Sequence, residues 1–169
     1  MSNRPLRDIV LIAHDMRSTH NVGSLLRTAE GLGVTKVFLT GYTPHPQYDG
    51  DPRLPHVARK QTLAIHKTAL DAELQQPWEY QESVQSVIDT LQENGYQIVG
   101  LEQTADSVSL PKSNFSEKVA LLLGREVEGI DAELLQLCEA TVEIPMFGQK
   151  ESFNVVQAAA IALYQLACL

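Results

Sequence analysis

The sequence predicts an α/β fold, a mostly parallel sheet flanked by helices, and two observations support it. Short apolar runs alternate along the chain with segments whose apolar residues recur at helical spacing. A length of 169 residues suffices for a substantial core, so we expect residues 1–169 to form one domain. Strands that alternate with helices are typical of parallel sheets, in which ligands bind beyond the carboxyl ends of the strands.

The individual elements can be placed in chain order. Strands are predicted at residues 9–13, 34–40, 97–101, 119–123 and 141–144. Helices are predicted at residues 21–30, 57–73, 80–94, 131–138 and 152–169. Residues 41–55 are rich in Pro, Gly and Asp and predict a long loop, which in a compact domain is usually functional or mobile.

The last segment predicts a ligand site and an interface. A strand ends at Ile144, a loop containing Gly148 follows, and Ser152 and Asn154 stand where a helix begins, with Ser152 as its cap. A helix start offers N–H groups suited to a small molecule. Residues 152–169 contain no Asp, Glu, Lys or Arg, so we expect one face on the core and another on a second subunit. An ordinary core helix with a serine cap is the alternative.

Composition restricts the class of protein. Hydrophobic content of 44% and charged content of 20% are ordinary for a soluble protein, and polar residues interrupt the last helix, so we expect no membrane span. The start of the chain does not resemble a signal peptide. Two isolated cysteines, Cys138 and Cys168, are typical of small core residues in a reducing compartment. These features predict a cytoplasmic location.

Charge is distributed unevenly along the chain. The net charge is −8, yet residues 1–67 carry nine Lys and Arg against five Asp and Glu, whereas residues 68–169 carry four against sixteen. A polyanion would therefore be bound by the N-terminal part. The P-loop, dinucleotide and nucleophile-elbow motifs are absent. His14 and Asp15 lack further ligands at suitable spacing, so we expect a solvated loop pair and no metal.

Three segments stand together at predicted strand ends. They are residues 21–29 (Asn-Val-Gly-Ser-Leu-Leu-Arg-Thr-Ala), residues 121–130 (Leu-Leu-Leu-Gly-Arg-Glu-Val-Glu-Gly-Ile) and residues 144–154 (Ile-Pro-Met-Phe-Gly-Gln-Lys-Glu-Ser-Phe-Asn). In this order the chain resembles the SpoU branch of the SPOUT RNA methyltransferases, over residues 9–169. The resemblance implies methyl transfer from S-adenosylmethionine to a ribose 2′-hydroxyl of RNA. It also implies a C-terminal deep trefoil knot and a homodimer, with the knot and the first helix at the interface.

The resemblance also assigns roles to residues. It implies catalytic roles for Arg27, Asn21, Glu126, Ser152 and Asn154. It implies cofactor contacts for Leu101, Gly124, Ile144, Met146, Ser152 and Phe153. Two positions depart from the family pattern, because Arg125 stands where a small or amide residue is frequent and Phe153 where Leu is usual. We expect Glu126 to hold Asn21 or Arg27 in place or to face the partner subunit; a solvated loop acid is the alternative.

Arg27 is suited to the chemistry of the transfer. A ribose hydroxyl is a poor nucleophile at neutral pH and needs alignment with the methyl group and stabilisation of its developing anion. A guanidinium supplies a fixed charge and a forked donor set, but it is not free to accept a proton by itself. We therefore expect Arg27 to orient the hydroxyl and stabilise its anionic form. On spacing alone, a helix-surface cation would be the simpler interpretation.

The charge distribution suggests an RNA surface. Candidates for phosphate contacts are Arg7, Arg17, Arg53, Arg59 and Lys60, and Tyr42 and Tyr48 could stack on a base. Scattered solvated charges are the alternative. The compact chain favours tRNA over rRNA as the substrate. A non-catalytic RNA-binding relative and an α/β enzyme for a small molecule remain rival hypotheses.

Overall fold

A seven-stranded parallel sheet forms the centre of the protein, of which the computed structural model describes residues 5–169. The strands are β1 (Asp8–His14), β2 (Lys36–Thr40), β3 (Trp78–Gln81), β4 (Gln97–Leu101), β5 (Val108–Ser109), β6 (Lys118–Leu123) and β7 (Ala140–Glu143). Their order is β3-β2-β1-β6-β4-β7-β5, and every neighbouring pair is parallel. The carboxyl ends of all seven strands therefore lie at the same end of the sheet. The predicted α/β class is confirmed.

Helices cover both faces of this sheet. They are α1 (Thr19–Gly31), α2 (Pro55–Ala69), α3 (Ala72–Gln75), α4 (Val84–Glu93), α5 (Ala132–Leu135) and α6 (Val155–Cys168), with a short 3-10 helix at Leu110–Lys112. In the part of the chain that the structure describes, none of them has the length and apolarity that crossing a membrane requires.

Strand alternation divides the core into two clusters. Along β1, Ile9 and Leu11 point to the face covered by α1 and α6, whereas Val10 and Ile12 point to the face covered by α4. Successive side chains of a strand point to opposite faces, so a continuous apolar run supplies both clusters. The apolar runs of the sequence are thus strands buried on both sides.

Two strands are additional to the five predicted ones. Strand β3 occupies Trp78–Gln81, where the sequence predicted a helix from residue 80. Strand β5 has only two residues and pairs with β7 at the sheet edge. Both lack an apolar run, because β3 alternates large and polar side chains and β5 is too short to show a period.

All five predicted helices differ from their predicted bounds: α1 begins two residues earlier, at Thr19, and α4 begins at Val84 rather than at residue 80. The predicted helix at residues 57–73 is divided into α2 and α3, because Leu70 and Asp71 adopt left-handed φ values of 51° and 71°. Helix α5 ends at Leu135, earlier than predicted. Helix α6 begins at Val155, and Asn154 rather than Ser152 is its cap, since the Asn154 side chain accepts a 2.9 Å hydrogen bond from the N–H of Val156. The prediction of a Ser152 cap was wrong.

Candidate functional site

A cleft opens at the carboxyl ends of three neighbouring strands, β6, β4 and β7, and the start of α6 closes its side. It encloses about 770 Å³, including the part open to solvent. The six residues with predicted cofactor contacts all line it: Leu101, Gly124, Ile144, Met146, Ser152 and Phe153. The fold thus brings together residues from four separate segments.

A tight loop after β6 forms one wall of this cleft. The N–H of Arg125 donates to the carbonyl of Gly129 at 3.0 Å, and the N–H of Gly129 donates back at 3.1 Å. A Cβ at Gly124 would lie 2.3 Å from the carbonyl oxygen of Gly129, so a side chain at this position would displace the loop. Gly129 itself has a φ of +73°, which glycine adopts without strain. Both glycines are therefore required by the shape of the wall.

The carboxylate of Glu102, the residue after β4, holds the same loop through a backbone hydrogen bond. Glu102 Oε2 accepts a 2.9 Å hydrogen bond from the N–H of Ile130, and Glu102 Oε1 accepts one from the N–H of Gln103. A Cβ at Gly129 would collide with the Glu102 carboxylate. The loops after β4 and β6 are thus joined in one wall.

Glu126 connects the cleft to the start of α1. It lines the cleft and also a second depression next to it, which contains Arg17, Ser18 and Asn21. The N–H groups of Arg17 and Ser18 donate to its carboxylate at 3.1 Å, and the Asn21 amide donates at 3.2 Å. Since the N-terminus of a helix leaves N–H groups without intrahelical partners, the carboxylate satisfies them and matches the helix dipole.

These contacts keep Glu126 ionised. Partial burial by itself raises the pKa of Glu126, but the donated hydrogen bonds from the backbone of Arg17, Ser18 and Glu126 and from the Asn21 side chain outweigh it. The pKa therefore lies below its usual value. Glu126 is a fixed negative charge between the two depressions.

The other predicted catalytic residues do not all meet at this point. Arg27 lies on the exposed face of α1 and lines neither the cleft nor the second depression of its own subunit. Ser152 borders the cleft and is exposed, whereas the side chain of Asn154 is used as the cap of α6. Within one subunit, the guanidinium and the cleft are therefore separate.

The candidate RNA cations divide into two groups. Arg17, Arg59 and Lys60 are exposed, and Arg17 stands at the second depression. Arg7, in contrast, precedes β1 at the amino ends of the strands, away from the cleft. Its guanidinium donates to the carbonyl of Leu166 at 2.9 Å and lies over the Phe115 ring. Its position favours a structural role.

Arg53 is held inside the loop between β2 and α2. Its guanidinium donates to the Asp51 carboxylate, to the carbonyls of His45 and Pro46 and to Gln61 Oε1. The Asp51 side chain is only 3% exposed, and the Arg53 guanidinium holds the pKa of that carboxyl well below its usual range. Arg53 therefore orders the long loop between β2 and α2, and its guanidinium has little capacity left for a phosphate.

Aromatic rings reinforce this loop. His45 stacks on Tyr80 with ring centroids 4.1 Å apart, and Tyr48 packs at 5.5 Å from His45. Tyr48 is 37% exposed. Tyr42, whose backbone N–H donates to the Asp15 carboxylate, is 52% exposed. Of the two tyrosines, Tyr42 offers the larger free surface.

His14 and Asp15 are not the solvated pair that the sequence predicted. Their side chains are only 14% and 17% exposed, with His14 Nε2 at 3.3 Å from the Asp15 carboxylate. His14 Nδ1 lies 2.9 Å from the Thr40 hydroxyl. Burial lowers the pKa of His14, although Asp15 opposes that shift. The pair ties β1 to β2.

Sequence reasoning missed several lining residues. Glu102, Glu128 and Glu143 border the cleft; Glu102 immediately follows the predicted strand 97–101, and Glu143 lies one residue before the end of the predicted strand 141–144. The rule that ligands bind beyond strand ends could have identified Glu102 and Glu143. No motif distinguishes them from other surface acids.

Comparison with known proteins identifies the family. Residues 8–164 match the SpoU rRNA Methylase family, so the chain belongs to it. It is similar to a tRNA (guanosine(18)-2′-O)-methyltransferase of Aquifex aeolicus, with 24% identity over 94% of this chain and 68% of the relative. It is also similar to a 23S rRNA (guanosine(2553)-2′-O)-methyltransferase of Bacillus subtilis, with 30% identity over 93% of this chain and 57% of the relative.

Solved structures share the fold. The AdoMet-bound rRNA methyltransferase from Sinorhizobium meliloti superposes with a TM-score of 0.79 at 24% identity, over 96% of this chain and 57% of that one. The TrmH/SpoU tRNA modifying enzyme of Aquifex aeolicus gives a TM-score of 0.76 at 20% identity, over 96% and 76%. The chain thus spans about three fifths to three quarters of the length of these relatives.

Proposed function

We propose that this protein transfers a methyl group from S-adenosylmethionine to a ribose 2′-hydroxyl of RNA, with tRNA favoured over rRNA. The observation that carries the proposal is the cleft, because all six residues predicted to contact the cofactor line one cavity at the strand ends: five come from the second and third motifs, and Leu101 comes from the end of β4. The named relatives act on the 2′-oxygen of tRNA or rRNA nucleotides. An AdoMet-bound relative of the same fold supports S-adenosylmethionine as the donor.

The residues present suit this cofactor. The apolar side chains of Leu101, Ile144 and Met146 form a surface for a flat adenine ring, and Gly124 lets a ligand approach the backbone. Bound S-adenosylmethionine supplies an electrophilic methyl group on a sulfonium. The protein needs to orient the hydroxyl and exclude competing water, and the proposed reaction requires no metal.

Arg27 is proposed to complete the site from a second subunit. It stands on the exposed face of α1, away from the cleft of its own subunit, so a homodimer that pairs α1 with the cleft of the partner would unite them. Helix α6 supports such a pairing, because it carries no charged residue and leaves Ile161 and Tyr164 exposed at 39% and 54%. In the composite site, Arg27 orients the hydroxyl and stabilises its anion.

The proposal extends to the topology of the C-terminal part. Strand β6 lies between β1 and β4, both of which precede it in the chain. Helix α6, which follows the last strand, packs against α1 and β4. We propose that this part is threaded as a deep trefoil knot, as the resemblance implies. Cytoplasmic location and single-domain organisation belong to the same proposal.

RNA is proposed to approach over the N-terminal part of the chain. Arg17, Arg59 and Lys60 supply exposed cations, and Tyr42 supplies an exposed ring next to Asp15, whose carboxylate accepts its backbone N–H at 3.0 Å. Phosphate contacts would position the RNA, and stacking would hold the target base. Arg7 and Arg53 contribute least, because their guanidinium groups are used internally.

Calorimetry with S-adenosylhomocysteine tests the cofactor assignment. We expect binding to the unmodified protein and its loss in Gly124→Ala, because the added Cβ would displace the wall of the cleft. Gly148→Ala is the matched control, since a Cβ there meets nothing within 4 Å. If the unmodified protein does not bind, or if both variants bind equally, the assignment of this cleft is wrong.

A further inference from the structure

The lining of the cleft is strongly acidic. Four glutamates border it, Glu102, Glu126, Glu128 and Glu143, against a single cation, Arg125. Arg125 is already paired, since its guanidinium contacts the Asp131 carboxylate and lies 3.9 Å from that of Glu128. Asp131 lies outside the lining, and the four glutamates outnumber the single arginine, so we expect a negative field inside the cleft.

This charge distinguishes the two forms of the cofactor. S-adenosylmethionine carries a sulfonium, an ammonium and a carboxylate, so its net charge is positive. In the transfer, the S–CH₃ bond breaks with its electron pair remaining on sulfur, an O–CH₃ bond forms and the hydroxyl proton passes to solvent. The product, S-adenosylhomocysteine, has lost the sulfonium and is neutral overall. A negative cleft therefore interacts more favourably with the donor than with the product.

We propose that the acidic lining, and Glu143 in particular, makes the cleft select the cationic methyl donor over the neutral product, so that it favours product release. This inference rests on the proposed function and adds a specificity determinant to it. Glu143 is the last residue of β7, immediately precedes Ile144 and lines the cleft beside that residue.

Glu143 is the carboxylate best suited to this role. Its only hydrogen-bond partner in the described part of the chain is the Ser107 hydroxyl, which donates at 3.1 Å. Glu102, in contrast, accepts two backbone N–H groups that join the walls of the cleft, and Glu126 holds the start of α1. Those two carboxylates have structural tasks that account for their presence, whereas one hydroxyl contact leaves most of the charge of Glu143 available to a ligand.

A simpler role for Glu143 would be to anchor the Ser107 turn. The Ser107 hydroxyl has one proton, which it shares between the Glu143 carboxylate and the closer carbonyl of Thr104 at 2.7 Å, and it accepts from the N–H of Thr104, so the turn has its own hydrogen bonds. If anchoring were the whole role, Glu143→Gln would keep an acceptor for Ser107 and change donor and product binding equally. A change in their ratio is the signature of charge selection.

The experiment is calorimetry on the full chain with two stable ligands. Sinefungin carries an amine in place of the sulfonium methyl and has the charge of the donor, and S-adenosylhomocysteine has that of the product. We expect Glu143→Gln to lower the affinity ratio of sinefungin to S-adenosylhomocysteine by about 1.5- to 5-fold, the range of a partly exposed charge pair. Higher ionic strength should reduce sinefungin binding and leave S-adenosylhomocysteine binding nearly unchanged.

Glu139→Gln is the matched control. It removes the same charge from the same segment, but Glu139 is exposed and lies before β7, so about 13 Å of strand separates it from Glu143. We expect the affinity ratio of sinefungin to S-adenosylhomocysteine in Glu139→Gln to equal that of the unmodified protein. An unchanged ratio in Glu143→Gln, or an equal fall in both variants, would overturn the inference. Failure of both ligands to bind the unmodified protein would instead refute the proposed function.

Discussion

The side-chain amide of Asn21 donates a 3.2 Å hydrogen bond to the carboxylate of Glu126, across 105 positions of sequence. The same carboxylate accepts the N–H groups of Arg17 and Ser18. One acid in the loop after β6 thereby fixes the segment that leads into α1. Glu126 thus connects the lining of the cleft to the first motif.

Replacing this acid should cost stability. We expect Glu126→Gln to lower the free energy of unfolding by about 1–2 kcal/mol, because the new amide NH₂ faces N–H donors that lose an acceptor. Urea denaturation measures the change. Glu128→Gln is the control, since the Glu128 side chain is 45% exposed and its pairing with Arg17 is a surface contact, for which we expect at most about 0.5 kcal/mol. Equal effects of the two variants would contradict this role of Glu126.

The contribution of Glu126 should also depend on pH. Its pKa is lower in the folded protein than in the unfolded chain, so its stabilisation is present above the unfolded value and is lost as pH falls through the folded value. The stability difference between the unmodified protein and Glu126→Gln should therefore shrink in acid. Urea titrations at a series of acidic pH values measure it, and a difference that grows in acid would refute the assigned sign.

A second pH effect of opposite sign is expected at His66. The Glu73 carboxylate, whose side chain is 4% exposed, lies 2.6 Å from His66 Nδ1 and raises the pKa of His66 through that hydrogen bond and its charge. The stabilisation is complete below the unfolded pKa near 6.5 and is lost as pH rises through the folded value. His66→Gln should therefore destabilise the protein more at acidic than at alkaline pH. A difference independent of pH would show that the ion pair contributes nothing.

Arg53 and Arg59 should separate folding from RNA binding. Arg53→Lys loses the forked contacts to Asp51 and to two carbonyls, so we expect a loss of about 1–3 kcal/mol in stability with little change in RNA affinity. Arg59→Glu should leave stability nearly unchanged, weaken RNA binding and flatten its dependence on salt. Denaturation and RNA titrations at several salt concentrations measure both. A loss of RNA affinity without a loss of stability in Arg53→Lys would instead indicate that Arg53 contacts RNA.

Much of the fold follows from the sequence, because four of the five predicted strands, β1, β2, β4 and β6, have apolar side chains packed on both faces; β7 buries only Val142. The break at Leu70 and Asp71 could not be predicted, since neither residue is the glycine that left-handed backbone usually requires. The resemblance predicted the lining residues of the second and third motifs. The strand-end rule makes Glu143 one of several candidate acids, and only packing shows that it lines the cavity. The sequence also could not show that Arg27 is separated from the cleft within one subunit.

The central claim is that the protein transfers a methyl group from S-adenosylmethionine, bound in this cleft, to a ribose 2′-oxygen of RNA. The most direct measurement incubates the protein with RNA and labelled S-adenosylmethionine, digests the RNA to nucleosides and identifies the labelled one. The proposal predicts label in a 2′-O-methylated nucleoside, with a large loss of turnover in Arg27→Lys, which keeps the charge but not the forked donor set. Label on a base, or absence of label from tRNA and rRNA alike, would contradict it.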